Sequence, residues 1–320
     1  MSQKVITILG GTGFIGRYVV KRLAAAGYAV RVISRHPNAG LHLKTAGAVG
    51  QVVLMSGNLA RPEALASKIA GSYAVINLVG VMFESGKQNF TQIHARGAEK
   101  LAQIAAAEDV KYFIHVSALG VDKATGSHYA RTKLLGEKAV LAAFPEATIL
   151  RPSVIFGPED HFFNQFAAMA SLLPALPLIG GGRTRFQPVY AGDVARAIEM
   201  CLLRPETRGK TFELGGPHSF SFQEMLLYVQ RQLGRKRRMV SIPFGLAPLM
   251  ASVLQFLPYP LRLTPDQVKL LKTDNVVSPG ALTLANLGIH STAVEMIVPG
   301  YLARFNKKTA GHAALERISP

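Results

Sequence analysis

The 320-residue sequence contains a single cysteine and only 19 acidic residues, against 36 lysines and arginines. One cysteine cannot form an intramolecular disulfide, so no disulfide framework holds this fold together. Cys201 lies in an apolar run, and we expect it to be a small core side chain rather than a reactive thiol. Apolar residues make up 49% of the chain and charged residues 17%, so a large core can be buried and extended disorder is excluded.

The shortage of acidic residues leaves a formal net charge of +17. Nucleic acid is one class of partner for so basic a chain, but the cations are scattered, and neither a zinc-ligand spacing nor a basic region before a heptad repeat is present. We therefore expect no nucleic acid partner. The only dense basic run is Arg235–Arg238, directly before the apolar segment Met239–Leu263. This combination indicates contact with an anionic membrane surface or with an acidic partner subunit.

Long apolar runs are missing as well. The segment Met239–Leu263 is interrupted by four prolines, and its uninterrupted pieces are too short to span about 30 Å of hydrocarbon. A strand pattern begins at Val5 and leaves no room for a signal or transit peptide, so we expect a bacterial protein or a mature form. The histidines lack the spacings H-x-x-x-H and H-E-x-x-H, so we predict no metal site.

Through the first half of the chain, short β-type runs alternate with helical patterns. Strands are predicted at Val5–Leu9, Ala29–Ser34, Val52–Met55, Ala74–Val79, Tyr112–Ser117 and Thr148–Leu150. Helices are predicted between them, at Phe14–Ala26, Arg61–Ala70, Phe90–Ala107 and His128–Phe144. Strict alternation predicts the α/β class, with a doubly wound parallel sheet that is covered by helices on both faces and connected by right-handed crossovers.

After Pro152 the pattern loosens, and proline and glycine become frequent. We assign residues 1–152 to a dinucleotide-binding domain, to which residues 184–214 return. Residues 153–183 and 215–305 are assigned to a smaller lobe for a substrate or partner, and residues 306–320 to a polar tail. Helices are predicted in this half at Asp193–Leu203 and Ser221–Leu233.

A glycine-rich turn between the first strand and the first helix is the strongest functional signal. Its glycines satisfy both the G-x-G-x-x-G and the G-x-x-G-x-x-G spacing. Glycine permits the tight turn and lets the backbone approach a pyrophosphate, while the helix N-terminus offers free N–H groups to the phosphates. A glycine-rich turn without a ligand is the alternative, which the βαβ context disfavours. The predicted cofactor contacts here are Gly10, Gly11, Thr12, Gly13, Phe14, Ile15 and Gly16.

The end of the second strand indicates which dinucleotide is bound. An NAD-selective site places an acidic residue about 20 residues after the glycines, against the ribose 2′-hydroxyl. Here the strand ends with Ser34 and Arg35, and no carboxylate is present. Arg35 can pair with a 2′-phosphate, Ser34 can add a hydrogen bond, and Arg17 is a second candidate cation. We therefore predict NADP(H); the alternative is that Arg35 is only a solvated surface residue.

Tyr129 and Lys133 stand four residues apart near the start of a predicted helix, so the phenol and the ammonium share one helical face. A lysine charge favours tyrosinate, and we expect it to lower the pKa of Tyr129 toward neutrality. A tyrosine with such a pKa acts as a general acid or base in hydride chemistry. Tyr129 and Lys133 are therefore the predicted catalytic residues, and both are also assigned to the cofactor site.

The glycine turn, Tyr129 and Lys133 together resemble the short-chain dehydrogenase/reductase superfamily in its extended form, over roughly Lys4 to Phe305. Two departures stand out: Ala118 replaces the second, catalytic serine of the family's serine pair, and Asn58 stands where an aspartate often lies near the adenine. With this resemblance, the predicted cofactor contacts extend to Asn58, Leu59, Val79, Gly80, Ser117 and Pro152.

Within the superfamily, the segments Phe113–Gly120, Tyr129–Val140 and Arg151–Ser153 with Phe156–Asp160 are most similar to an atypical group. That group contains the nucleotide-binding accessory subunit of respiratory complex I and its bacterial relatives. The similarity implies a vestigial Tyr–Lys pair, NADP(H) held as a structural element, and other complex I subunits as partners. The implied location is peripheral, on the cytoplasmic face of a bacterial inner membrane.

Two other functions remain open on the sequence. One is an active NADP-dependent reductase or epimerase in which Tyr129 supplies the proton and Lys133 holds the ribose. The other is a regulator that senses NADP(H).

Overall fold

The computed structural model describes residues 3–84 and 89–306. Its strands are β1 (Val5–Leu9), β2 (Ala29–Ser34), β3 (Val52–Ser56), β4 (Ala74–Asn77), β5 (Tyr112–Val116), β6 (Thr148–Pro152), β7 (Ile155–Phe156), β8 (Ala175–Ile179), β9 (Arg185–Phe186), β10 (Val189–Tyr190), β11 (Thr211–Leu214), β12 (Phe220–Ser221) and β13 (Arg238–Ile242). Its α-helices are α1 (Phe14–Ala25), α2 (Ala66–Ile69), α3 (Gly97–Ala107), α4 (His128–Ala143), α5 (Phe163–Leu172), α6 (Ala191–Leu203), α7 (Phe222–Gln232), α8 (Ala247–Leu254), α9 (Pro265–Leu270) and α10 (Val294–Leu302).

A seven-stranded parallel sheet is built in the order β11-β6-β5-β4-β1-β2-β3. β1 lies between β2 and β4, with Val5 opposite Ala29 and Ile6 opposite Ala74. The strand order reverses at β1, because the chain runs outward through β2 and β3 and then crosses back to β4. This is the topological switch point, at whose carboxyl end dinucleotides bind in open α/β sheets. The predicted doubly wound parallel sheet is confirmed.

Both faces of the sheet are buried, as the apolar strands require. One face packs on α3 and α4 through a cluster that contains Val75, Phe113 and Ile149. Side chains of alternate residues point to the opposite face, where Ile8 and Val32 are fully buried. The helices α1 and α6 contact each other. The expectation that Cys201, on α6, is a core side chain is confirmed, because it is fully buried and burial raises its thiol pKa to about 12.

Two predicted helices differ from the structure in their winding. The stretch predicted as one helix over Phe90–Ala107 begins as a π-helix, Thr91–Arg96, before α3. The stretch predicted over Arg61–Ala70 is a 3₁₀ turn, Pro62–Leu65, followed by the single turn of α2. The second element has no long apolar stripe to pack against the fold, so it forms local turns only.

The chain divides into two compact units. The first comprises the residues up to Pro152, Ala191–Leu214 and Val277–His290, and the second comprises Ser153–Tyr190, Gly215–Val276 and the residues from Ser291 on. The return to the first domain therefore starts at residue 191 and not at 184, because β9 and β10 pair with β12 and β7 of the second unit. A second segment, Val277–His290, also returns to the first unit, and the prediction did not include it. It is joined to β11 by a hydrogen bond from the Glu213 N–H to the Leu282 carbonyl at 2.8 Å.

The second unit carries its own core. Among its described residues are three two-stranded sheets and the helices α5, α7 and α10, and a buried cluster that includes Phe156, Phe163, Phe222 and Val298 forms the core. Across the two described ranges, no helix combines the length and apolarity needed to cross a membrane. Of the predicted tail 306–320, residues 307–320 lie outside the described residues.

Candidate dinucleotide-binding site

The glycine turn leaves no room for side chains at the carboxyl end of β1. Gly10 has φ +80°, a conformation that favours glycine, and a Cβ there would lie 3.2 Å from the Leu78 backbone. A Cβ on Gly16 would lie 2.4 Å from the Gly11 carbonyl oxygen, so α1 can begin against the turn only with glycine at this position. The Gly13 N–H donates to the Gly10 carbonyl at 3.0 Å and closes the turn. The tight turn predicted from the spacing is therefore present, and its contact with a pyrophosphate stays a prediction.

The N-terminus of α1 is arranged to receive an anion. Gly13 is its N-cap, and within the described chain no side chain caps the helix and no acidic residue lies in its first turn. The first N–H groups of a helix have no partner inside the helix, and they carry a partial positive charge. Phe14, Ile15 and Gly16 supply these groups, so a pyrophosphate fits this position in charge and in hydrogen bonding.

The end of β2 is joined to the glycine turn by a polar contact. The hydroxyls of Thr12 and Ser34 lie 3.1 Å apart, and Ser34 also accepts from the His36 N–H at 3.3 Å. Arg35, next in the chain, is exposed. Arg17 lies on the first turns of α1, where its N–H donates to the Gly13 carbonyl at 3.2 Å. A cation therefore follows β2 at the place where an NAD-selective site carries a carboxylate.

The segment after β3 places Asn58 and Leu59 at the same carboxyl edge of the sheet. The Asn58 side-chain oxygen accepts from the Ala60 N–H at 2.9 Å, so it shapes the turn of its own loop. Leu59 is 5% exposed and belongs to the core beneath the edge. Gly57 brings this loop close to β2, since a Cβ there would lie 2.4 Å from Ile33.

The end of β4 brings Val79 and Gly80 toward two other predicted site residues. A Cβ on Gly10 would lie 3.3 Å from the Val79 nitrogen, and a Cβ on Gly80 would lie 3.2 Å from Lys133 Nζ. The Val79 N–H donates to the Asn77 side-chain oxygen at 3.1 Å. The segment after β4 therefore lies between the glycine turn and α4, which carries Tyr129 and Lys133.

Tyr129 and Lys133 both lie on α4, but the phenol does not have the acidity predicted from the spacing. Burial raises the pKa of Tyr129 to about 12, and this direction is opposite to the predicted one. Burial also lowers the pKa of Lys133 to about 8, although Glu137 acts in the other direction. Lys133 is 4% exposed, and its Nζ donates to the Val116 carbonyl at 3.1 Å. The spacing correctly placed Tyr129 and Lys133 on one face of a helix, but it gave no information about their burial, which determines both pKa values.

A buried polar cluster beneath Lys133 was not predicted as part of the site. His94 Nε2 accepts from the Val81 N–H at 3.1 Å, and its Nδ1 lies 3.2 Å from the Thr132 hydroxyl. Burial and the Lys133 charge lower the pKa of His94 to about 2, so this imidazole is neutral. The ring of His94 contacts Tyr129 edge to face at 5.3 Å. His94 therefore positions the loop after β4 against α4.

A second histidine holds the ends of β4 and β5 together. The Asn77 amide lies 3.1 Å from His115 Nδ1, and burial lowers the pKa of His115 to about 3. With the amide N–H donating to Nδ1, the ring proton is on Nε2. The only sequence signal for this pair was a polar residue at the same register in two otherwise apolar strands.

Two buried polar atoms at the end of β5 have no hydrogen-bond partner among the described residues. They are His115 Nε2 and Ser117 Oγ. Residues two apart on a strand share one face, so the two groups lie on the same side of the sheet. Buried polar groups are nearly always paired, and a polar ligand at this edge would supply the missing partner for Ser117. Ala118 follows, and it has no hydroxyl to orient a substrate carbonyl.

Pro152 closes the site at the end of β6. Its carbonyl accepts from the Leu119 N–H at 2.9 Å, which fixes the segment that follows Ser117. The preceding residue, Arg151, pairs with Glu137 of α4 at 2.7 Å and with Asp122 at 2.8 Å. All predicted site residues thus lie in the first unit, along the carboxyl edge of one sheet and the helices that follow it. Within the described ranges, no group of His, Cys, Asp and Glu could hold a metal ion.

Residues 6–215 match the model of the NAD dependent epimerase/dehydratase family. Over 318 residues, the chain is 38% identical to NADH dehydrogenase (ubiquinone) 1 alpha subcomplex subunit 9, mitochondrial, of Arabidopsis thaliana, with 96% of this chain and 79% of that protein covered. It is 33% identical to the NADH-ubiquinone oxidoreductase 40 kDa subunit, mitochondrial, of Neurospora crassa, with 93% and 79% covered. The crystal structure of triphenylmethane reductase from Citrobacter sp. complexed with NADP(H) shares the fold at TM-score 0.72 and 19% identity, with 94% and 99% covered.

Proposed function

The chain belongs to the NAD dependent epimerase/dehydratase family, and on this premise we propose that it is an NADP(H)-holding accessory subunit of respiratory complex I, the NADH:ubiquinone oxidoreductase. The observation that carries the proposal is the similarity, along almost the whole chain, to relatives that are named as subunits of that enzyme. The place of action is the surface of the membrane that contains the complex, on the cytoplasmic face in a bacterium.

The proposed nucleotide site runs along the carboxyl edge of the sheet. Gly10–Gly16 would hold the pyrophosphate against the N-terminus of α1, and Arg35, Ser34 and Arg17 would hold the adenosine 2′-phosphate. Asn58 and Leu59 would lie along the adenine. Val79, Gly80, Ser117, Tyr129, Lys133 and Pro152 would line the nicotinamide half of the site. The choice of NADP(H) over NAD(H) depends on the cation that follows β2.

A structural role for the nucleotide is favoured over catalysis by two features of the site. Ala118 removes the hydroxyl that would orient a carbonyl, and a phenol with a pKa of about 12 is a poor general acid or base at neutral pH. A nucleotide that binds only the folded chain stabilises it by mass action, by about 2.7 kcal/mol at a concentration 100 times its dissociation constant.

The test is purification of the full chain from detergent-solubilised membranes, followed by mass spectrometry of the accompanying proteins and of the nucleotide released by acid. We expect other subunits of the complex and NADP(H). A chain that is recovered only as a free monomer contradicts the subunit role. Turnover of a carbonyl or quinone that is lost in Tyr129→Phe would instead support the reductase.

A further inference from the structure

A row of large apolar side chains projects outward from α8 and the turn after it, in the second unit. We name Leu246, Leu249, Val253, Phe256 and Tyr259 the apolar ridge; their exposed fractions are 63%, 70%, 67%, 81% and 53%. The first four follow helical spacing, so they share one face. Isolated exposed apolar residues are common, but a continuous row of this size marks an interaction surface.

The packing of α8 shows that the outward direction of these residues is fixed by the fold. The inner face of the helix carries the small residues Ala247 and Ala251, which are fully buried in a cluster with Ile179 and Val268. The helix also packs on α9, which begins with a capping box at Thr264. The fully buried positions of the helix thus carry small side chains, whereas Leu249 and Val253 face outward, the reverse of a helix that is stabilised only by its own core.

The stretch of chain that carries the ridge has charges of one sign only. Between Glu224 and Asp266 the chain contains no acidic residue and six basic residues. Two of these, Lys236 and Arg238, are exposed beside the outward side chain of Val240 on β13. Arg237 is held differently, since its Nε donates to the Ala170 carbonyl at 2.9 Å.

We propose that the apolar ridge inserts into the surface of an anionic lipid bilayer, while the basic residues of the same stretch of chain contact the lipid headgroups. An interfacial helix combines a projecting apolar face with flanking Lys and Arg, and a layer of anionic headgroups complements the charge of a stretch that contains no acidic residue. Phe256 and Tyr259 add aromatic rings of the kind enriched at membrane interfaces. The proposal depends on the second unit alone and not on the nucleotide or on other subunits.

The absence of tryptophan from the chain permits a direct test with the purified protein. In Phe256→Trp the new indole is the only one, and we expect its emission to shift to the blue and to be quenched by brominated acyl chains in phosphatidylcholine vesicles that contain phosphatidylglycerol. Met296→Trp, at a site that is 75% exposed and outside the ridge, is the matched control and should show neither effect. If the indole of the Phe256→Trp variant is not quenched by these vesicles, the proposal is overturned.

Cosedimentation with the same vesicles separates the apolar from the electrostatic contribution. The double variant Leu249→Gln with Val253→Gln should bind the vesicles about 100-fold more weakly, because the apolar surface of two large side chains is no longer removed from water on binding. Lys236→Glu with Arg238→Glu should weaken it at least about tenfold, whereas the same charge reversal at the exposed Lys44 and Lys100 should have little effect. Equal binding to pure phosphatidylcholine, or unchanged binding of the ridge variant, contradicts the proposal. Concentration-dependent dimerisation that is lost in the ridge variant also overturns it, because a second copy would then cover the ridge.

Discussion

The ammonium of Lys133 should destabilise the fold in the absence of nucleotide, and this makes a sharp prediction for Lys133→Met. The side chain is 4% exposed, and burial lowers its pKa from 10.5 to about 8. A pKa difference of this size corresponds to about 3 kcal/mol between the two protonation states. Methionine fills a similar volume without the charge, but it loses the hydrogen bond to the Val116 carbonyl, which contributes about 1 kcal/mol. We expect Lys133→Met to raise the free energy of unfolding by about 2 kcal/mol at pH 7.

The pH dependence gives this prediction its sign. Because the folded-state pKa lies below the unfolded-state pKa, the unfolded chain binds more protons between about pH 8 and 10.5. The cost of burying the ammonium is therefore full below pH 8 and is relieved as the pH rises through this window. The advantage of Lys133→Met should shrink by about 2 kcal/mol between about pH 7 and 9.5.

Urea unfolding of the nucleotide-free protein, followed by circular dichroism across this pH range, measures the effect. Lys138→Met is the matched control, because Lys138 is exposed on the same helix. In parallel, Lys133→Met should lose affinity for NADPH, so that a stabilising change weakens ligand binding. A variant that is less stable than the wild type at pH 7, with no dependence on pH, would refute the reasoning.

Two further predictions follow from close contacts. Gly16→Ala should cost about 1–3 kcal/mol of stability and abolish the thermal shift that NADPH produces, because its Cβ meets the Gly11 carbonyl oxygen; Gly126→Ala, where a Cβ meets nothing within 4 Å, should preserve both. Tyr301→Phe removes the hydroxyl that donates to buried Asp160 at 2.5 Å and should cost about 1–3 kcal/mol. Burial already raises the Asp160 pKa, and losing this bond raises it further, so denaturation should show a larger loss at pH 7 than at pH 4. A pH-independent loss would contradict this account.

The sheet was predictable because its strands are short apolar runs with unambiguous ends. β1 and β2 have the predicted bounds, since a glycine turn ends one and polar residues follow the other. The second return to the first unit was not predictable. It depends on backbone and side-chain contacts of Glu213, whose carboxylate accepts from the Ser278 N–H at 2.7 Å, and such contacts leave no periodic pattern.

The candidate site was predictable where local sequence determines geometry. The glycine turn is such a case, because the close contacts of Gly10 and Gly16 are made within the turn and with the adjacent strand. The pKa of Tyr129 was not predictable, because the burial of its phenol depends on residues that are distant in the chain, such as Phe90 and His94. The pairing of Asn77 with His115 likewise depends on the register between two strands.

The most direct test of the nucleotide assignment is the affinity of the purified protein for NADPH and NADH by isothermal titration calorimetry. We predict that NADPH binds at least about tenfold more tightly, and that Arg35→Ala removes this preference by weakening NADPH alone, because a charge-assisted hydrogen bond contributes about 1.5–3 kcal/mol. Arg96→Ala, at an exposed arginine away from β2, should leave both affinities unchanged. Equal affinities in the wild type, or tighter binding of NADH, would contradict the account.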